Sequence, residues 1–285
     1  MKARSLLFVP GDSERKLARA DAAGADLLIL DLEDSVNSER KAQARALVRT
    51  YLSHRTPEQP TQIWVRINAL DSSEAVADLS ALAGALPDGI VVPKTENPLD
   101  LQRLSDELSV LELSSGDAAG RVQLMPILET PRGVLQSAGL LALETKRLGA
   151  ITWGAEDLSA ALGMRARAND QAAALQTART QCLLVAHALG AAPIETVTTR
   201  IKDHEALHSA CIAARSDGFA GKLAIHPDQV SVINEAFSPS PEDIAWARRV
   251  IAALNSGSGA AVLDGRMIDI VHRRQAQRLL EFAKH

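Results

Sequence analysis

Short apolar runs alternate with longer helical patterns along most of this chain, and that alternation admits few folds. The runs are Ser5–Val9, Asp26–Leu32, Gln62–Ile67, Gly89–Val92, Val122–Leu128, Ala150–Trp153, Pro193–Val197 and Gly218–Ile225. Several are continuously apolar, as strands buried on both faces must be. The segments between them read as helices, with Ser38–Leu47 and Ala172–Leu189 the clearest. Strands alternating with helices imply a parallel sheet of the α/β class. Eight of them predict a closed (β/α)8 TIM barrel. The 285-residue length fits one such barrel with an addition at one end. An open doubly wound sheet is the alternative, because short apolar runs are counted less securely than long periodic ones.

The addition is C-terminal. Ser240-Pro241-Glu242-Asp243 has the form of a helix start, with Ser240 as cap, Pro241 in the first turn and Asp243 answering from the third position. The helix should run from Pro241 to Leu254. Asn255-Ser256-Gly257-Ser258-Gly259 then reads as a flexible linker. Ala260–Leu263 looks extended and Ile268–Ala283 helical. The expected organisation is a catalytic barrel over residues 1–237 and a helical arm over 238–285. Such an arm can reach a neighbouring subunit.

Composition removes several functions. A net charge of −4 and 3% aromatics disfavour a nucleic-acid binder. No apolar run approaches the roughly 20 residues of a membrane helix. The first strand-to-helix turn, Pro10-Gly11-Asp12-Ser13, lacks a dinucleotide fingerprint, and there is no Walker loop. Cys182 and Cys211 have neither disulfide nor metal spacing. The apolar run at the N-terminus is too short for a signal peptide, so a cytoplasmic protein is expected.

In a barrel of this type, chemistry gathers where the strands end. Charged groups follow nearly every run. Run two delivers Asp31, Glu33 and Asp34; run three Arg66 and Asn68; run four Lys94; run five Glu129. Run six delivers Gly154-Ala155-Glu156-Asp157, and run eight Lys222 and His226. Alternation puts Asp31 and Glu33 on one face. Glu129 and Asp157 follow adjacent strands, so their carboxylates can converge on one ion. Oxygen ligands without His or Cys favour Mg²⁺ over zinc. A 2-oxo acid could fill the open positions of such an ion, with Arg66 and Lys94 adding positive charge where an oxyanion develops. The plainer alternative is that the carboxylates cap the helices that follow.

His204-Glu205-Ala206-Leu207-His208 matches the zinc-protease pattern. It lacks a third ligand, and its helix should lie outside the barrel between runs seven and eight. Leu207, Ala210, Cys211 and Ala214 should then face the sheet, which leaves surface histidines as the reading.

The segments Arg4–Gly11, Leu30–Val36, Val65-Arg66-Ile67-Asn68, Val92-Pro93-Lys94, Leu128–Gly133, Trp153–Leu158, Gly218–Pro227 and Leu263–Asp269 span nearly the whole chain. Together these motifs resemble the citrate lyase beta-subunit family of carbon–carbon lyases acting on acyl-CoA or acyl-carrier thioesters. The resemblance implies a barrel assembled as a homotrimer or hexamer. Glu129 and Asp157 would bind Mg²⁺, and Arg66 would contact the oxo acid and thioester carbonyl. Glu33 would lie at the site, with Lys94, Gly154 and Ala155 binding substrate beside Arg66. Asp269 would enter from the arm of an adjacent subunit as acid/base. Two positions depart from the family. Val271 stands where many relatives have proline, and Pro131 where many have a small residue.

The expected reaction is retro-Claisen cleavage of a 3-hydroxy-3-carboxyacyl thioester, such as citramalyl-CoA or malyl-CoA, to a 2-oxo acid and an acyl-CoA. One alternative is a citrate lyase beta subunit acting on a citryl thioester of an acyl-carrier protein. Another is a scaffold or binding subunit that keeps the fold without turnover.

Overall fold

The computed structural model describes residues 3–56, 61–165, 172–255 and 259–282. Eight parallel strands close into a barrel in chain order. They are β1 (Ser5–Pro10), β2 (Leu27–Asp31), β3 (Gln62–Arg66), β4 (Gly89–Val92), β5 (Gln123–Leu128), β6 (Ala150–Trp153), β7 (Ala192–Glu195) and β8 (Gly221–Ala224). β1 pairs with both β2 and β8, so no edge remains and the open-sheet alternative falls away.

The period of two along each strand divides the buried residues into two cores. One set, including Leu6, Leu27, Ile29, Trp64, Met125, Ile127 and Leu223, fills the barrel. The other, including Leu7, Leu28, Leu30, Val65, Leu128 and Trp153, lies under the helices. The same alternation aims the strand ends. Asp31 follows outward Leu30, Arg66 follows outward Val65, and Glu129 follows outward Leu128. All three side chains therefore point into the mouth.

That parity removes one expected contributor. Leu223 points inward, so Lys222 points out beneath the helix layer, where its Nζ donates to the Thr196 carbonyl. The eighth strand also starts later than its apolar run. Gly218 instead ends the helix His204–Asp217 in a left-handed conformation, φ 109°, which favours glycine. Asp203 caps that helix, and Leu207, Cys211 and Ala214 are buried on its inner face. Ala210, expected there too, is exposed with His204 and His208. The stripe is one residue narrower than its spacing suggested, because Ala210 sits beyond the edge of the sheet-facing arc.

The helix Pro241–Leu254 begins with the expected capping box, in which Ser240 and Asp243 each accept from the other's backbone. Arg215 ties its start to the barrel through Asp243 and the Ser238 carbonyl. Linker residues 256–258 lie outside the described residues. Beyond them β9 (Ala260–Leu263) and β10 (Arg266–Asp269) form an antiparallel hairpin, followed by a helix over Ile270–Phe282. Ile268 and Asp269 are thus strand rather than helix, because they pair with Ala261 and Ala260. The hairpin and last helix pack on the helix Pro241–Leu254 in a core of their own, around Ala247, Val250, Leu254, Ile268 and Ala276.

Candidate active site

The mouth is organised around Arg66. Its Nε and Nη2 donate to the two oxygens of Asp31, at 2.6 and 2.7 Å. Asp31 is 1% exposed and also accepts from the backbone N–H groups of Glu33 and Ser35. Burial would raise the Asp31 carboxyl, but the Arg66 charge and the hydrogen bonds from Arg66, Ser35 and Glu33 together outweigh it and hold Asp31 below the usual carboxylate range. The Arg66 guanidinium lies over the Phe8 ring, 4.7 Å from its centre. Clamped edge and face, Arg66 keeps Nη1 toward the mouth.

Nη1 lies 2.9 Å from Glu33 Oε2 without the alignment of a hydrogen bond. Among the described residues Oε2 is a buried oxygen with no donor. A buried acceptor left open at a strand-end cleft is a place for a ligand donor. Oε1 accepts from Lys94 Nζ. Burial pushes the Glu33 carboxyl up, against the opposing charges of Arg66 and Lys94.

Lys94 adopts φ 48°, an uncommon conformation for a residue with a side chain. The turn sends its backbone N–H to Glu129 Oε1 at 2.7 Å while its ammonium reaches Glu33. Burial would lower the ammonium, but the bond to Glu33 and the charges of Glu33, Asp34 and Glu129 raise it instead.

Glu129 is 3% exposed, and its carboxyl is pushed up to about 8 by burial and then by the charge of Asp157. Asp157 lies in the first turn of the helix Ala155–Ala161 that follows β6. Gly154 caps that helix against Glu129. A Cβ there would fall 2.6 Å from Glu129 Oε2 and 2.7 Å from Glu129 Cβ. The Gly154 N–H bonds the Leu128 carbonyl, so what Gly154 offers is space beside the carboxylate. The Ala155 N–H leans on Thr196 Oγ1 at 3.4 Å.

Asp31, Glu33, Asp34, Glu129 and Asp157 are five carboxylates against two cations, Arg66 and Lys94. The excess gathers on the Glu129–Asp157 side, where Glu129 Oε2 accepts no hydrogen bond among the described residues. Hard oxygens, like-charge repulsion and a glycine-lined gap suit a divalent cation that retains water and open positions. The residues present therefore fit Mg²⁺.

Gly154→Ala is expected to displace Glu129 and weaken Mg²⁺ binding ~10–100-fold, the scale of disturbing a ligand's support. A calorimetric titration of the folded variant checks this. Wild-type affinity would show that the gap is unused.

The structure does not bring Asp269 to this mouth within the chain. It sits at the end of β10, bonded to the Val271 N–H and His272. Asn68 turns away into a bracket with Lys41 and Asp78. Lys41 also takes the carbonyls of Leu32 and Glu33, which fixes the turn that aims Glu33. His226 is half-buried and caps a short turn through Nδ1. Asp31 and Phe8 went unassigned in the sequence, although inward parity pointed to both.

A closed barrel with a clamped arginine and a paired-carboxylate hard-ion site at its strand ends defines a class of enzyme built for oxyanion chemistry. Residues 4–227 match the HpcH/HpaI aldolase/citrate lyase family, and the chain belongs to it. It is 36% identical over 285 residues to the (3S)-malyl-CoA thioesterase of Cereibacter sphaeroides (strain ATCC 17029 / ATH 2.4.9), covering 99% of this chain and 94% of that protein. It is 33% identical over 294 residues to the mitochondrial citramalyl-CoA lyase of Rattus norvegicus, covering 98% and 86%. CitE of Mycobacterium tuberculosis, solved in complex with magnesium, acetoacetate and coenzyme A, superposes with a TM-score of 0.83. It is 34% identical and covers 100% of this chain and 99% of that one.

Proposed function

We propose that the chain is a Mg²⁺-dependent carbon–carbon lyase that splits a 3-hydroxy-3-carboxyacyl-CoA, of the citramalyl-CoA or malyl-CoA type, into a 2-oxo acid and an acyl-CoA. The observation that carries this is the pairing of the Glu129–Asp157 cation site with an arginine locked toward the same mouth. Glu129 and Asp157 would hold the ion, which when bound supplies a Lewis acid for the substrate's carboxylate and hydroxyl oxygens.

The chain's own residues do the rest. Asp269 accepts the hydroxyl proton at its free carboxylate oxygen. The O–H electrons become the new carbonyl, and the carbon–carbon bond pair passes into the thioester as an enolate. Arg66, unable to rotate away from Asp31 and Phe8, donates N–H groups to the enolate oxygen. The proton then returns to the enolate carbon. Glu33 and Lys94 border the reacting end, where the open Glu33 oxygen can accept a substrate donor. Gly154 and Ala155 leave room for the oxo-acid end.

Asp269 must come from a second copy, because its own arm packs on the helix Pro241–Leu254 rather than at the mouth. A homotrimer or hexamer fits this supply. A barrel over residues 1–237 and an arm over 238–285 remain the working division. Among the described residues no helix is long and apolar enough to cross a membrane. A cytoplasmic location is supported by two free, buried thiols, Cys182 and Cys211.

Subunit complementation tests the arm. Asp269→Ala and Glu129→Ala proteins should each lose ~100-fold or more in turnover. Co-refolded, they should regain a substantial fraction of it, since some mouths then pair an intact cation site with an intact arm. No recovery in mixed oligomers would contradict supply across subunits.

A further inference from the structure

The arm places a histidine directly behind Asp269. Asp269 ends β10, and the last helix starts at Ile270. Asp269 Oδ1 accepts from the Val271 N–H at 3.0 Å and lies 2.9 Å from His272 Nδ1. Among the described residues Oδ2 has no partner. Oδ1 is therefore the held oxygen and Oδ2 the presented one.

His272 Nδ1 has a second neighbour, the Asp269 backbone nitrogen, at 3.2 Å. The two contacts need opposite states of the ring. A protonated Nδ1 donates to Oδ1, and a bare Nδ1 accepts from the backbone N–H. Nδ1 thus keeps a partner whether or not it carries the proton, and the carboxyl can hold that proton in the second state. Both side chains are about one-third exposed, and their chain neighbours Met267, Ile270 and Val271 are exposed apolar side chains.

We propose that His272 is a positioning residue for the acid/base carboxylate: it shares a proton with Asp269, so the arm delivers an Asp–His pair rather than a lone carboxylate. This rests on the reading of Asp269 as the acid/base. As Oδ2 takes the substrate's hydroxyl proton, the Nδ1–H stays bonded to Oδ1 and holds the carboxyl in place; the pair then carries its own Nδ1 proton and the transferred one, and the transferred proton leaves Oδ2 for the enolate carbon. No oxidant or further reactant enters. The bond also opposes the rise in carboxyl pKa that a covering apolar surface would cause. Consistent with this, His272 and then the Val271 N–H hold the Asp269 carboxyl below the usual carboxylate range.

Other charged groups around the pair are engaged elsewhere or lie apart from its bonding. Arg249 on the helix Pro241–Leu254 pairs with Asp264 of the hairpin. Arg273 donates to Leu254 and Asn255. Arg248, Arg266 and Arg274 make no described bond to Asp269 or His272.

The test is the pH dependence of kcat and KM for the full-length enzyme with citramalyl-CoA and malyl-CoA, using wild type, His272→Leu, His272→Asn and Asp269→Ala. His272→Leu should lower kcat ~10–100-fold with KM within about twofold, and should move the acid limb of the kcat profile to higher pH. His272→Asn, whose amide can donate from near the Nδ1 position, should recover kcat to within ~5-fold and restore the acid limb. A merely structural histidine would give equal losses in both variants, tracking Tm with no movement of the limb, and that overturns the proposal. Asp269→Ala inactive beside a wild-type-like His272→Leu overturns the pair alone. Asp269→Ala with full turnover overturns both the pair and the acid/base reading. If His272→Leu does not fold, His272→Gln replaces it. Its amide reaches past Nδ1, so it should fail where His272→Asn succeeds, and equal activity of the two overturns the proposal.

Discussion

Glu129→Gln should lower Mg²⁺-dependent turnover by ~10³-fold or more while leaving the barrel folded. The amide keeps the shape and can still accept the Lys94 N–H, but it supplies no negative charge to a cation. The same variant reports on the cost of building the site. The Glu129 carboxyl is raised to about 8 from its ordinary 4.5 by burial and by Asp157. Metal-free folded protein therefore binds a proton that the unfolded chain has released. The resulting stability is complete below pH ~4.5 and is lost as pH rises toward 8. Tm of the metal-free wild type should fall across that window. Glu129→Gln should flatten the fall, and so should saturating Mg²⁺, which binds the ionised form. A wild-type Tm indifferent to pH, equal to that of the variant, would mean that Glu129 is not the strained buried acid its surroundings imply.

Arg66→Lys should cost ~10²–10³-fold in kcat/KM, most of it in kcat. Lysine keeps the charge and loses the fork. One ammonium cannot meet both oxygens of Asp31, lie flat on Phe8 and still point at the mouth. Asp31 would be left as a buried, half-satisfied carboxylate, with a stability loss on the order of 2–4 kcal/mol. Steady-state kinetics with a parallel melting curve separate the two effects. A loss confined to KM would show that Arg66 only binds substrate and does not stabilise the developing enolate.

The barrel was legible because its strands are buried on both faces, so each leaves an apolar run that needs no partner to be recognised. The placement of Glu129 and Asp157 was legible for a related reason, since Glu129 directly follows the run of β5 and Asp157 opens the helix just after that of β6. Other parts depend on distance in three dimensions. Asp31 reads as one acid among three until β3 brings Arg66 beside it. Asn68 and Lys222 look like strand-end chemistry until a bracket with Lys41 and Asp78 claims one and strand parity turns the other outward. The strand at Ile268–Asp269 was hidden because a short hairpin on a helix carries little periodicity of its own. His272 attracted no notice because its meaning lies entirely in the carboxylate one turn before it.

The most direct test of the account is a coupled assay that follows 2-oxo acid and free CoA together, from citramalyl-CoA, malyl-CoA and citryl-CoA. It is run with and without Mg²⁺, beside a Glu129→Ala/Asp157→Ala double variant. The account predicts metal-dependent release of a 2-oxo acid from at least one ester, without free CoA, and loss of that release in the double variant. Release of free CoA without a 2-oxo acid would mark a thioester hydrolase, and metal-independent cleavage or full activity in the double variant would contradict the site itself.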